Sequence, residues 1–323
     1  MQQMKTAKTT KTKTKFLGAK TIRFFGNGSE AVKRLRMNLE SFEVVKTSKT
    51  TNIKTKFINY LYAEKHYYGN IFALLAELKK QLDANEEIIN GAKFSGAATD
   101  LKYFEFHKSF KTFNLDAGSY YEIPDVIEAD ITSAYYRTAF NLGFINEDFY
   151  KKCLLLEKID RLILIGSIAT IKTIETYEKG FLVNTSMEKN ELHRLAWFKI
   201  CSYVDSALLT LKSRFDLISK DIFLFYWVDG IYFRDFEITN NYNWVNILNE
   251  LSALFPFEWK VQRMKEVLLV NTGTHLKIQI EKLDGKKKEF FPTRNEIKIY
   301  ALDKNGKPLD KEIDLFNSIV RYK

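Results

Sequence analysis

The sequence predicts an α+β fold, an antiparallel sheet with helices on one face, joined to a smaller mixed N-terminal lobe. Three observations predict it. Phe223–Asp235 (FLFYWVDGIYFRD) sets Asp229-Gly230 between two runs of apolar and aromatic residues, the strongest short-range signal for a hairpin. Pro124–Leu142 reads as a short strand, PDVIEADI, running straight into a helix, TSAYYRTAFNL. Glu191–Phe215 is an unbroken helical pattern of about seven turns.

Composition bounds the rest. At 323 residues, with 46% hydrophobic and 15% aromatic, the chain can bury a sizeable core in one large domain or two. Four prolines and no Gly/Ser stretch argue against floppy linkers. The net charge of +10 favours a polyanionic partner, nucleic acid first; a solvated lysine-rich surface is the structural alternative. Cys153 and Cys201 follow no metal-ligand spacing and the four histidines are scattered, so neither a disulfide framework nor a zinc site is expected. The longest apolar run, Leu162–Ile171, is too short to cross a bilayer, and the start lacks a signal-peptide core. The expectation is a soluble cytoplasmic protein with no membrane partner.

Taken in order, residues 1–15 alternate Lys with Thr and lack apolar partners, which predicts a disordered tail. A mixed lobe is expected over 16–115. Within it Glu30–Leu39 and Tyr60–Leu82 have helical spacing, and Tyr103–Phe113 alternates aromatic with polar residues as a strand or a base-stacking surface would. The main domain is expected over 116–323. Pro124–Ile131 is its first strand and Thr132–Leu142 its first helix, with Thr132 or Ser133 at the start and Gly143 at the close. Glu147–Glu178 reads as mostly helical, an insert over about 147–180, with Lys158 and Arg161 three apart on one face. After the hairpin come a helix at Tyr242–Leu254 and strands at Phe257–Met264, Glu266–Val270, Thr274–Lys282, Lys286–Phe291 and Ile297–Leu302. A short helix at Ile313–Val320 ends the chain.

Two carboxylates stand at strand ends in this order, Asp130 and Asp229. Each has a structural role open to it: Asp130 as a helix cap, Asp229 as a turn residue. If both face one cleft, they repel unless a cation sits between them. Hard oxygen ligands select Mg²⁺ or Mn²⁺, and paired ions of this kind drive in-line phosphoryl transfer. Basic residues on a nearby helix would neutralise a triphosphate.

At these residues the chain resembles family B DNA polymerases. Asp130-Ile131-Thr132-Ser133-Ala134-Tyr135 looks like their motif A, D-x-x-S-L-Y. Phe225-Tyr226-Trp227-Val228-Asp229-Gly230-Ile231 looks like motif C, Y-G-D-T-D-S, with Asp229 on its second aspartate. Lys158–Ile168 resembles motif B, and Glu191–Phe215 the helix that precedes motif C. The resemblance covers Ile123–Ile280. It implies a polymerase palm-like sheet, a small fingers-like helical insert, and Asp130 and Asp229 as catalytic metal ligands. It also implies that Ser133, Tyr135, Lys158 and Arg161 bind substrate, with Tyr135 under the incoming sugar and disfavouring a 2′-hydroxyl. The chain departs from the pattern at Trp227, where motif C has its first aspartate, at Gly230 for its serine, and at Tyr136 for the proline after motif A. The implied function is template-directed nucleotidyl transfer on primed DNA with dNTPs and Mg²⁺ or Mn²⁺, in a phage, plasmid or other mobile element. The alternative is a non-catalytic nucleic-acid-binding or phage structural protein on the same scaffold.

Overall fold

The computed structural model describes residues 20–47, 49–63, 71–92, 103–106, 109–110, 117–219, 221–227, 229–239, 242–273, 276–290, 298–302 and 308–314. The Lys/Thr tail lies outside them. The first elements are β1 (Lys20–Phe25), α1 (Ser29–Met37), β2 (Phe42–Lys46), β3 (Thr50–Lys54), β4 (Ile58–Ala63), α2 (Ile71–Ala84) and α3 (Glu86–Gly91). Next are β5 (Tyr103–Phe106), β6 (Ser109–Phe110), β7 (Tyr120–Glu122), β8 (Val126–Ile131), α4 (Ala134–Asn141), α5 (Glu147–Leu154) and α6 (Lys158–Gly166). Then follow β9 (Lys172–Glu178), β10 (Phe181–Glu188), α7 (Glu191–Ile218), β11 (Phe223–Trp227), β12 (Gly230–Arg234), β13 (Glu237–Thr239) and β14 (Tyr242–Asn243). The last are α8 (Trp244–Leu254), β15 (Trp259–Asn271), β16 (Leu276–Lys282), β17 (Lys287–Phe290), β18 (Lys298–Leu302) and β19 (Pro308–Asp314).

The chain divides into two compact units, one of residues 1–73 and 169–190, the other of 74–168 and 191–323. The first holds a six-stranded sheet in the order β1-β4-β3-β2-β9-β10, parallel between β1 and β4 and antiparallel elsewhere. Val32 on α1 packs with Phe42, Val44, Ile53 and Tyr177 to make its core.

Two expectations are corrected here. Tyr60–Ala63 is strand, and the helix starts at Ile71. Ile58, Tyr60 and Tyr62 fit period 2 as well as they fit a helix, and pairing with both β1 and β3 decides for the sheet. The insert expected over about 147–180 is helical only to a 3-10 turn at Ser167–Ala169; Lys172–Glu178 is strand. KTIETYE alternates, and Lys179-Gly180, both at positive φ, turns it into β10. Gly180 is needed twice over. Its φ is +79°, and a Cβ there would overlap the carbonyl oxygen of Arg36. Gly180→Ala is expected to destabilise the protein by about 2 kcal/mol or more, read by denaturant unfolding; a change below about 0.5 kcal/mol would show that the turn is not constrained.

The second unit is built on an antiparallel sheet in the order β17-β16-β15-β8-β12-β11-β6, with β7 also pairing β15. One face packs on helices. Ile127, Ala129 and Ile131 of β8, and Ile231 and Phe233 of β12, join buried residues of α4, α7 and α8 in one cluster. The other face carries a second cluster contributed by strands and by Ile123, including Val126, Phe225, Tyr232, Val267 and Ile280. Within a strand successive side chains alternate between these faces. The long helix extends through α7, whose buried polar groups find partners. Lys199 Nζ donates to the carbonyls of Ile89, Asn90 and Ala92 at the C-terminal end of α3, and Tyr226 Oη donates to Asp205 at 3.0 Å.

Other boundaries follow local chemistry. The N-cap of α8 is Asn243, in a capping box with Asn246. The two strands expected around Lys265 are one strand, β15, with a register shift between Met264 and Glu266. The strand expected over Tyr103–Phe113 is two short strands in different sheets, its other residues lying outside those described. Ile313-Asp314 closes β19 instead of opening a helix, and the rest of that segment is outside the described residues. Among the described residues no helix is long and apolar enough to cross a membrane.

Candidate active site

The site begins with the alternation of β8. Ile127, Ala129 and Ile131 point to the helices, so Glu128 and Asp130 point to the opposite face. β12 lies antiparallel beside it, with Gly230 opposite Asp130 and Tyr232 opposite Glu128. Trp227 pairs with Gly230 across a two-residue connection that contains Asp229. The Asp229 carbonyl accepts from the Ile131 N–H at 2.9 Å, which ties the hairpin end to the end of β8.

This changes the reading of Asp-Gly. Gly230 is the first residue of a strand and is not at positive φ, so it is not a primed-turn glycine. It serves a close approach: a Cβ at 230 would stand 3.1 Å from Asp130 Oδ1. Gly230→Ala is expected to push that carboxylate aside, weakening Mn²⁺ binding about tenfold with under about 1 kcal/mol lost in stability. Titration calorimetry checks it, and unchanged Mn²⁺ affinity would remove the role of this glycine.

The start of α4 is equally particular. Ser133 occupies the N-cap position in the left-handed region (φ 52°, ψ 41°) and makes no side-chain cap. Its Oγ instead accepts from Arg161 Nη1 at 3.0 Å, while Tyr136 Oη donates to the Arg161 carbonyl at 3.0 Å. The serine that was expected to cap a helix thus orients an arginine. Asp130 is three residues before this position and is not the helix cap.

Asp130, Ser133, Tyr135, Lys158, Arg161 and Asp229 all line one cavity of about 230 Å³. Lys158 and Arg161 come from the first turn of α6, on one face as their spacing predicted. The Tyr135 ring is buried and tilted against Trp197, with centroids 5.3 Å apart. Lys260 also lines the cavity, from the position on β15 opposite Asp130.

The electrostatics are those of two carboxylates taken out of water side by side. Burial, then the Asp229 carboxylate, then Glu128 push Asp130 up to about 6, against the opposing pull of Lys158 and Lys288. Burial also raises Asp229, opposed first by Lys158. Glu128 behaves oppositely. Burial would raise it, but hydrogen bonds from Lys282, Tyr232 and Lys288 hold it at about 2. Two neighbouring carboxylates, both raised by burial, are the kind of oxygen ligands that a hard divalent cation takes. Among the described residues no group of three or more His, Cys, Asp or Glu could hold a metal ion, and Glu128 is occupied by lysines. The protein's contribution to such an ion would be Asp130 and Asp229.

No family model and no curated protein matches this chain. What the site can do follows from its own residues. Sequence reasoning missed Glu128, Lys260, Lys282 and Lys288. Period 2 along VIEADI placed Glu128 on the face of Asp130 and was the available signal. The lysines had none, because strand register brings them there.

Proposed function

We propose that the protein is a template-directed nucleotidyltransferase of the polymerase palm type, extending primed DNA with dNTPs and Mg²⁺ or Mn²⁺. The observation that carries the reading is the meeting of Asp130, on β8, and Asp229, in the turn that leads into the adjacent antiparallel strand β12, in a cavity also lined by Lys158, Arg161, Lys260 and Tyr135. Divalent ions held by these aspartates would supply an activated attacking hydroxyl and charge compensation at the leaving phosphate.

The chain's own residues have distinct tasks. Lys158 places a compact positive charge on the cavity wall, opposite the carboxylates in sign and within their field. Arg161, held by Ser133 Oγ, presents the rest of its fork to phosphate oxygens. Tyr135, backed by Trp197, would offer its ring to the incoming sugar and disfavour a 2′-hydroxyl, the role the resemblance implies for it. Together they orient the triphosphate before reaction, where most of the rate gain in phosphoryl transfer arises. The work would be cytoplasmic, in the host if a phage or plasmid encodes the chain.

One observation favours a second reading, a nucleic-acid-binding or phage structural protein without catalysis. Trp227 stands where the resemblance calls for another aspartate, and Glu128, the remaining nearby carboxylate, is neutralised by lysines. A primed template with dNTPs and either metal separates the two. Incorporation that follows the template supports the first. Salt-sensitive binding without incorporation under both metals supports the second.

A further inference from the structure

Glu128 is 2% exposed, yet it is a charged group surrounded by charged and polar ones. Its carboxylate accepts from Tyr232 Oη on β12, Gln262 Nε2 on β15, Lys282 Nζ at 2.8 Å on β16 and Lys288 Nζ at 3.1 Å on β17. Four strands thus converge on one buried anion. Burying a carboxylate is costly unless its partners repay the lost hydration, and removing it would leave its cations without their anchor.

The charge count is uneven. Lys265 and Lys287 meet Glu281, Lys277 meets Glu289, and Lys286 meets Asp284, each near its own place in these strands. Lys282 and Lys288 also share one carboxylate, but theirs is the buried Glu128, so their surplus positive charge lies beside the aspartates. The Lys288 side chain is 45% exposed, and its charge acts on both Asp130 and Asp229. Once those aspartates are neutralised by divalent ions, the surplus faces solvent on the sheet side of the site. Neither lysine lines the cavity, whose cations are Lys158, Arg161 and Lys260. Phosphate groups met at Lys282 and Lys288 therefore belong to a chain running past the cavity, not to a nucleotide inside it.

We propose that Glu128 is a positioning residue that holds Lys282 and Lys288 as a phosphate-binding pair for the backbone of a nucleic-acid strand beside the aspartates. The proposal rests on the reading above in taking nucleic acid as the partner and divalent ions as neutralising the aspartates.

The test measures equilibrium binding of full-length protein to a labelled primed template across a salt series, with Mg²⁺ and without dNTPs. A parallel arm measures binding of a labelled dNTP. Lys288→Ala is expected to weaken DNA binding about five- to tenfold near ~0.1 M salt and to lower the salt slope by about 0.7–0.9, with dNTP affinity unchanged. Lys288→Arg should retain most of the binding. Glu128→Gln is the sharper variant, because it removes a negative charge near DNA. If Glu128 were only that charge, binding would tighten; as a positioning residue, its loss should weaken binding about threefold or more. Unchanged affinity and slope in Lys288→Ala, tighter binding in Glu128→Gln, or a loss confined to dNTP would each overturn the proposal. Failure of the polymerase reading looks different: no incorporation by the parent protein, with the Lys288 effect on DNA binding intact.

Discussion

Asp229→Ala is expected to abolish nucleotide incorporation while leaving the fold in place. The substitution removes one of the two carboxylates proposed to hold a divalent ion in the cavity. Loss of about 4 kcal/mol of transition-state stabilisation corresponds to a rate lower by on the order of a thousandfold, and a missing metal ligand costs at least this much. The fold should tolerate it. The hydrogen bond that joins the hairpin end to β8 runs from the Ile131 N–H to the Asp229 backbone carbonyl, which alanine keeps. Relief of repulsion on Asp130 favours the folded state as well. Single-turnover extension of a primed template, with circular dichroism as the control for folding, measures both. Incorporation within tenfold of the parent would remove Asp229 from the chemistry.

Asp130→Asn should make the metal-free protein more stable at neutral pH. The folded protein raises this carboxyl to about 6 from an ordinary 3.8, so the folded state holds its proton more tightly than the unfolded chain does. Stability contributed by the protonated form is therefore present below about pH 4 and is lost as pH rises through about 6. A rise of this size corresponds to roughly 3 kcal/mol, and partial exposure of the side chain brings the expected effect to on the order of 2 kcal/mol. Asparagine keeps the shape without the charge, so the metal-free variant should melt higher than the parent at about pH 7.5 and nearly equal to it at about pH 4. Millimolar Mn²⁺ should reverse the order, stabilising the parent by about 2.7 kcal/mol at a hundredfold excess over Kd and the variant far less. A stability loss in Asp130→Asn that does not depend on metal, with no response of the parent to Mn²⁺, would mean that the carboxylate is structural.

The sequence by itself determined the elements around the site and the identity of its two aspartates. Local pattern was sufficient for β8, for the hairpin of β11 and β12, and for α7, because periodicity and turn signals are written in neighbouring residues. It also placed Lys158 and Arg161 on one helical face, since three residues is nearly one turn. Tertiary structure alone decided the rest. The segment Lys172–Glu188 joined the sheet of β1–β4 because β2 offered it an edge more than a hundred residues upstream. Gly230 became a point of close approach because Asp130 came to lie across from it. Ser133 gave up capping a helix because Arg161 reached its hydroxyl from α6. Glu128 acquired Lys282 from 154 residues away and Lys288 from 160. A strand's pattern tells which side chains share a face, but its partners and register depend on pairing energies between distant segments. The strand lysines near the aspartates, Lys260, Lys282 and Lys288, were placed only by that pairing.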